Sequence, residues 1–210
     1  MKFNHIKKCI FTIGFLLTMP ISTEGYAQTD AQLMASGQWR DPTTNLVWMR
    51  CNIGQKWNGQ TCIGEAKPMT GFEAQDFAAA LQHGNGFAGH TDWRLPTPYE
   101  LSMLRTCSTG WHASVSHQVA EIDGTVRNVP GKPEMMGLPP NNYVPIKCAE
   151  NAQQPTLNSR VFPNTSVAKH GMWWTSQNFG AHDIIYVNFR NGIIDKVGGI
   201  TWKGHVRLVR

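Results

Sequence analysis

Three basic side chains, Lys203, His205 and Arg207, follow one another at two-residue spacing. In an extended strand that period puts them on one face. Arg190 and Lys196 flank the preceding apolar run. Such a stripe suits sulfate or phosphate groups, with arginine gripping in bidentate fashion and lysine acting as a point charge. The competing reading is a solvated strand face with Arg207 held in an internal ion pair. Trp57, Trp111 and Trp202 are candidates to stack on sugar rings, against which stands ordinary packing.

Catalysis needs a nucleophile, a general base and an electrostatic stabiliser in one cleft. His90 with Asp92, and His112 with His117, are the pairs the sequence offers, and neither sits in a motif. A non-catalytic protein is therefore expected, without cofactor. Four cysteines, Cys51, Cys62, Cys107 and Cys148, remain once Cys9 is assigned to a leader. No Cys-x-x-Cys spacing supports zinc, and an even number in an exported chain reads as two disulfides with three possible connectivities. Cys51 to Cys62 closes a Gly- and Asn-containing loop, and Cys107 to Cys148 closes a longer Pro-rich one; this pairing is the expected one.

Lys2, Lys7 and Lys8 precede an apolar run from Cys9 to Leu17, and small residues follow at Gly25 and Ala27. This is the order of a secretory signal, predicting residues 1–27 as a leader cleaved after Ala27. The run is short for a membrane span, so none is expected in the mature protein, which is placed in the periplasm, at the cell surface or outside. The formal charge of +5 falls by two when Lys2, Lys7, Lys8 and Glu24 are set aside. Without a clustered basic motif, a nucleic-acid partner is not expected.

The elements that must position these residues can be read from local signals. Residues 28–36 read as a short polar tether, followed by one domain over 37–210. Gln38 to Asp41 and Leu46 to Met49 flank Pro42-Thr43-Thr44-Asn45 as a β-hairpin. Thr70 and Glu73 form a capping box for a helix whose apolar face comprises Phe72, Phe77, Ala80 and Leu81. Thr97 caps a second helix with Pro98 at its first position and Glu100 as the box acid; Leu101 and Leu104 give it an apolar face. Ahead of it, in Asp92-Trp93-Arg94-Leu95-Pro96, Trp93 and Leu95 alternate with Arg94 as a short half-buried strand, and Asp92 and Arg94 read as a charge pair or hydrogen-bond network that fixes the turn. Seven prolines between Pro130 and Pro163 mark residues 109–166 as a long loop region. Trp173 and Trp174 begin a terminal antiparallel sheet with Asn191-Gly192 at a hairpin turn. Its last strand, 204–210, is predicted to bury one face and wet the other.

Taken in order, Asp41-Pro42-Thr43-Thr44-Asn45-Leu46-Val47-Trp48, Gly54 to Cys62, Asp92 to Thr97 with Glu100-Leu101, Phe162-Pro163-Asn164-Thr165, Trp173-Trp174-Thr175-Ser176 and Val206 to Arg210 resemble the Lcl C-terminal domain family, named after a bacterial collagen-like surface adhesin. The resemblance implies an α+β, C-type-lectin-like fold: two helices packed on antiparallel sheets, with a long irregular loop region carrying the ligand surface. The chain departs from the adhesin in having no Gly-x-y run, so a trimerising stalk is not carried over. Calcium-dependent lectins of similar fold use carboxylates that Gln153-Gln154-Pro155-Thr156 and Tyr186-Val187-Asn188-Phe189 lack, so no lectin-type calcium site is expected. Formylglycine-generating oxidases share the fold class, but their reactive cysteines are here assigned to disulfides. The expected function is an exported recognition module binding an anionic glycan, with an envelope or pilus-associated protein partner as the alternative.

Overall fold

The computed structural model describes residues 27–84, 86–112, 117–120, 126–129, 135–138, 142–165, 167 and 171–210. The leader expectation, residues 1–27, falls outside this set except for Ala27.

The first element corrects the tether. Asp30–Ala35 is a helix, α1, started by a full capping box in which Thr29 and Gln32 satisfy each other's backbone N–H groups. Its lone leucine, Leu33, is completely buried and anchors it. A short segment with one buried leucine and reciprocal caps can thus be structured. The predicted hairpin follows, β1 (Gln38–Arg40) with β2 (Val47–Met49), in the register Trp39 opposite Trp48. Two short strands, β3 (Lys56–Trp57) and β4 (Cys62–Ile63), pair inside the loop closed by Cys51–Cys62.

Strand β5 (Met69–Thr70) leads into α2 (Gly71–His83), capped by Thr70 and Glu73 as expected. Its buried face is built from Gly71, Ala74 and Ala78, flanked by half-buried Phe72, Phe77 and Leu81, while Ala80 is exposed. Small residues form this face because the helix lies close to the sheet: a Cβ on Gly71 would collide with Ile184. Helix α3 (Pro98–Met103) begins as the sequence predicts, and Leu101 and Leu104 are buried beneath it. The strand expected at Trp93–Leu95 is a single bridge, Arg94 to Val209.

The expected loop region holds two hairpins, β6 (His117–Ala120) with β7 (Val126–Val129), and β8 (Met135–Leu138) with β9 (Asn142–Pro145). Prolines and glycines lie among and between these strands and obscure the period-two pattern on which a strand reading depends. The Cys107–Cys148 bond, as expected, pins the base of this region.

The centre is an antiparallel sheet of β10 (Met172–Phe179), β11 (Asp183–Asn188) and β12 (Ile193–Gly198), in that order. Both of its faces are covered. Trp173, Ile185, Val187 and Ile194 point into one core with Leu101 and Leu104 of α3. Trp174, Ile184, Tyr186 and Val197 point into the other with Ala74 and Ala78 of α2. After β13 (Lys203–Gly204), which pairs with β5, the chain crosses from the sheet to the N-terminal hairpin. His205 exchanges backbone bonds with Met172 and Trp174, Met49 donates to Leu208, and Val47 and Arg210 bond reciprocally. Val209 also exchanges two bonds with Arg94. Residues 206–209 are consequently buried throughout, and the wet face expected for this segment does not exist. The architecture is α+β, with short helices on small antiparallel sheets.

Candidate functional site

The basic stripe is the largest correction. Arg207 is only 1% exposed, and its two terminal nitrogens donate to the carbonyl of Arg50 at 2.9 Å, Oδ1 of Asn52 at 2.9 Å and Oγ1 of Thr165 at 3.1 Å. Its guanidinium lies 4.3 Å from the Phe162 ring centre. Among the described residues the internal ion pair is also not found: the partners are neutral oxygens, and the charge effect comes from another cation, Arg50. Burial, with Arg50 adding repulsion, pushes the Arg207 guanidinium down to about 9, so it stays charged at neutral pH. A planar fork of donors lets arginine satisfy itself on scattered carbonyl oxygens in a way a lysine ammonium does not.

Two more guanidinium groups are treated alike. Arg50 donates to the carbonyls of Val161 and Arg160 and lies 4.1 Å from the Trp57 ring centre. Arg105 donates to the carbonyls of Ser102, Pro145 and Gly192, and burial lowers it to about 10. Arg105 thereby joins the end of α3 to β9 and to the β11–β12 turn. These three arginines hold long-range segments together and are not available to a ligand.

His205 is half-buried, its ring 4.9 Å from that of Trp173. Arg190 is exposed in the β11–β12 turn, apart from the residues below. Trp57 is half-buried, its indole N–H donating to Ala35, and one ring face is taken by Arg50. Trp111 is exposed at one side and faces Arg105 at 4.8 Å. Each of these tryptophans has one ring face occupied by a guanidinium. His90 contacts Gln28 through its ring, while Asp92 is exposed, so this pair builds no catalytic dyad.

Asp92 is likewise not the partner of Arg94. Arg94 forks onto Glu100, both bonds 2.8 Å, while the same carboxylate accepts from the backbone N–H of Thr97. Burial pulls the Glu100 carboxyl upward, but the hydrogen bonds from Arg94 and Thr97 outweigh it and hold the group below its usual range. One acid therefore caps α3 and locks the segment before it. The capping box was visible in the sequence; this second use of Glu100 was signalled only by its six-residue distance from Arg94, which an isolated pattern does not single out.

What the structure does bring together lies at one end of the central sheet. Phe179 of β10 sits opposite Asp183, which sits opposite Gly198 of β12. Lys196 reaches across so that its Nζ is 3.4 Å from the Phe179 ring centre. Gly198 carries the turn to Ile200 and Trp202, accepting the Trp202 backbone N–H. Phe179, Ile200 and Trp202 are 51%, 60% and 53% exposed, the largest such values among the described large hydrophobic residues. Lys203 follows directly, and Asp183 and Glu73 contribute acidic groups at the same end, with Glu73 held below its usual range first by its bond to the Thr70 backbone. Phe179 was missed from the sequence because a strand-end aromatic carries no signal of exposure.

The arrangement is that of a small disulfide-stapled α+β domain presenting a mixed aromatic and charged face. No group of three or more His, Cys, Asp or Glu among the described residues is placed to hold a metal. The sequence matches the Lcl C-terminal domain model over residues 37–210, and the chain belongs to that family, which is not one known for catalysis. No curated protein and no solved structure matches it. No described helix is long and apolar enough to cross a membrane, and two disulfides fit an oxidising compartment.

Proposed function

We propose that the protein is an exported, non-catalytic recognition module with a C-type-lectin-like architecture, and that it binds an anionic glycan at the sheet end formed by Phe179, Lys196, Trp202 and Lys203. The observation that carries this reading is the pairing of exposed rings with exposed lysines on one edge. Rings accept the apolar faces of sugars, and ammonium groups attract sulfate or carboxylate. Amide groups at Gln75 and Asn178, bonded to each other at 2.7 Å, extend the same edge with hydroxyl-compatible polarity.

The test is binding of the mature oxidised protein to immobilised dextran sulfate, at low and physiological salt, with and without a chelator. Binding is expected to resist chelation and to weaken steeply with salt, because the contacts are between exposed charges. Replacing both Lys196 and Lys203 with alanine is expected to weaken it about tenfold, the sum of two contacts near the upper end for exposed ion pairs. Salt-insensitive binding, or a double variant that binds as well as the parent, defeats the proposal. The exposure of Ile200 beside Trp202 favours a second reading, an envelope protein partner, for which binding would survive salt and fail on Ile200→Ser.

A further inference from the structure

The sheet end is not the only place where the fold leaves room. Between the end of α1, the Cys51–Cys62 loop and α2 lies a cavity of about 490 Å³, walled by Met49, Ile53, Phe77 and Phe87 and floored by Trp57. That volume is in the range of small-molecule sites, and a lining of this kind is the usual composition of one. The polar groups in its wall are mostly engaged elsewhere. The Asn52 side chain accepts from Trp173 and Arg207, and Gln55 accepts from the Asn52 backbone. Lys56 is the exception: it is among the residues at the cavity's rim, its side chain is exposed, and that side chain has no hydrogen bond or ion pair among the described residues. Among the described residues no acidic side chain lines the cavity. Behind Trp57 lies the Arg50 guanidinium, whose charge is balanced by carbonyl oxygens and not by a carboxylate.

An apolar chamber with one uncommitted cation at its wall and a positive field behind it selects for one kind of molecule. We infer that this cavity binds a small amphipathic anion, with an aromatic or alkyl body seated among Phe77, Phe87, Ile53 and Met49 and a single sulfonate, carboxylate or phosphate facing Lys56. The apolar body supplies affinity through area removed from water. The anion supplies orientation, since Lys56 is a lone point charge at the wall. The site is separate from the sheet end in its residues and does not depend on glycan binding there.

The probe is anilinonaphthalene sulfonate, an aromatic body with one anionic group, read by fluorescence against the uncharged phenylnaphthylamine. The folded, oxidised protein is expected to bind one equivalent of each dye saturably. Lys56→Ala is expected to weaken the sulfonate about fivefold, as for one partly exposed ion pair, and to leave the neutral dye within about twofold. Ile53→Trp fills the chamber and is expected to abolish both signals; Phe77→Trp serves the same purpose if the first variant does not fold. Trp202→Ala removes the main exposed ring of the sheet end and is expected to change nothing. Dye binding that survives both filled chambers, that ignores Lys56→Ala, or that disappears with Trp202→Ala overturns the inference. None of these outcomes bears on dextran sulfate binding, so the two sites fail separately.

Discussion

The molecule handles its cations in two opposite ways. In the C-terminal segment and its neighbours, Arg50, Arg105 and Arg207 turn inward and are held on backbone carbonyls and neutral side-chain oxygens. At the sheet end, Lys196 and Lys203 turn outward beside exposed rings. The difference is chemical before it is positional. A delocalised, weakly hydrated guanidinium with five fixed donors can be desolvated against scattered oxygens, whereas a compact, strongly hydrated ammonium remains at the surface. Residue type therefore separates what spacing had grouped: Lys203 and Arg207 share a strand period and belong to different regions of the molecule.

The comparison breaks first at Arg207. Arg207→Ala removes three hydrogen bonds, orphans buried acceptors and leaves a cavity, so a loss of about 4–5 kcal/mol is expected in urea unfolding. A loss below about 1 kcal/mol would mean that the inward group is not structural. Opening the Cys107–Cys148 bond, which spans 41 residues, is expected to cost about 4 kcal/mol, against about 3 for Cys51–Cys62, which spans 11. The double serine variants compared by thermal melting under oxidising conditions check that order. Glu100→Gln is expected to cost about 1–2 kcal/mol, since it weakens a charge-assisted fork and a cap together. Because the Glu100 carboxyl is held below its unfolded value, its contribution is present above the ordinary carboxylate range and disappears as pH falls through the lowered value. The parent should therefore lose more stability than Glu100→Gln on acidification from neutral pH. Smallest of all, Lys196→Ala and Lys203→Ala should each shift stability by no more than about 0.5 kcal/mol while changing salt-sensitive binding, which is the sharpest contrast with Arg207→Ala.

Legibility followed the range of the interaction. Thr97-Pro98-Tyr99-Glu100 and Thr70-Gly71-Phe72-Glu73 specify helix starts within four residues, and both starts are where the sequence puts them. The β1–β2 hairpin, the Asn191-Gly192 turn and the two disulfides were equally local or constrained by few alternatives. The alternation in 204–210 states which residues share a face but not whether water lies on it. Here the second face is covered by Phe162, Thr165 and Trp173, contributed by distant segments, so residues 206–209 are buried on both faces. Helix α1 was hidden for the reverse reason: six residues with a single buried leucine are too few to show a period, although its caps are complete. Of the candidate site, the two lysines and Trp202 were named from sequence, while Phe179 required the sheet register to place it over Lys196.

The Arg207 to Arg50 bond joins residues 157 positions apart, and the bonds from Val47 to Arg210 close the same seam. The N-terminal hairpin completes its backbone pairing only with residues 206–210 laid against it. Both cores, the α3 side and the α2 side, close on the same short ribbon, the first through Val209 and the second through Val206 and Leu208. Losing those few residues would strip the molecule of its keystone and not merely shorten it.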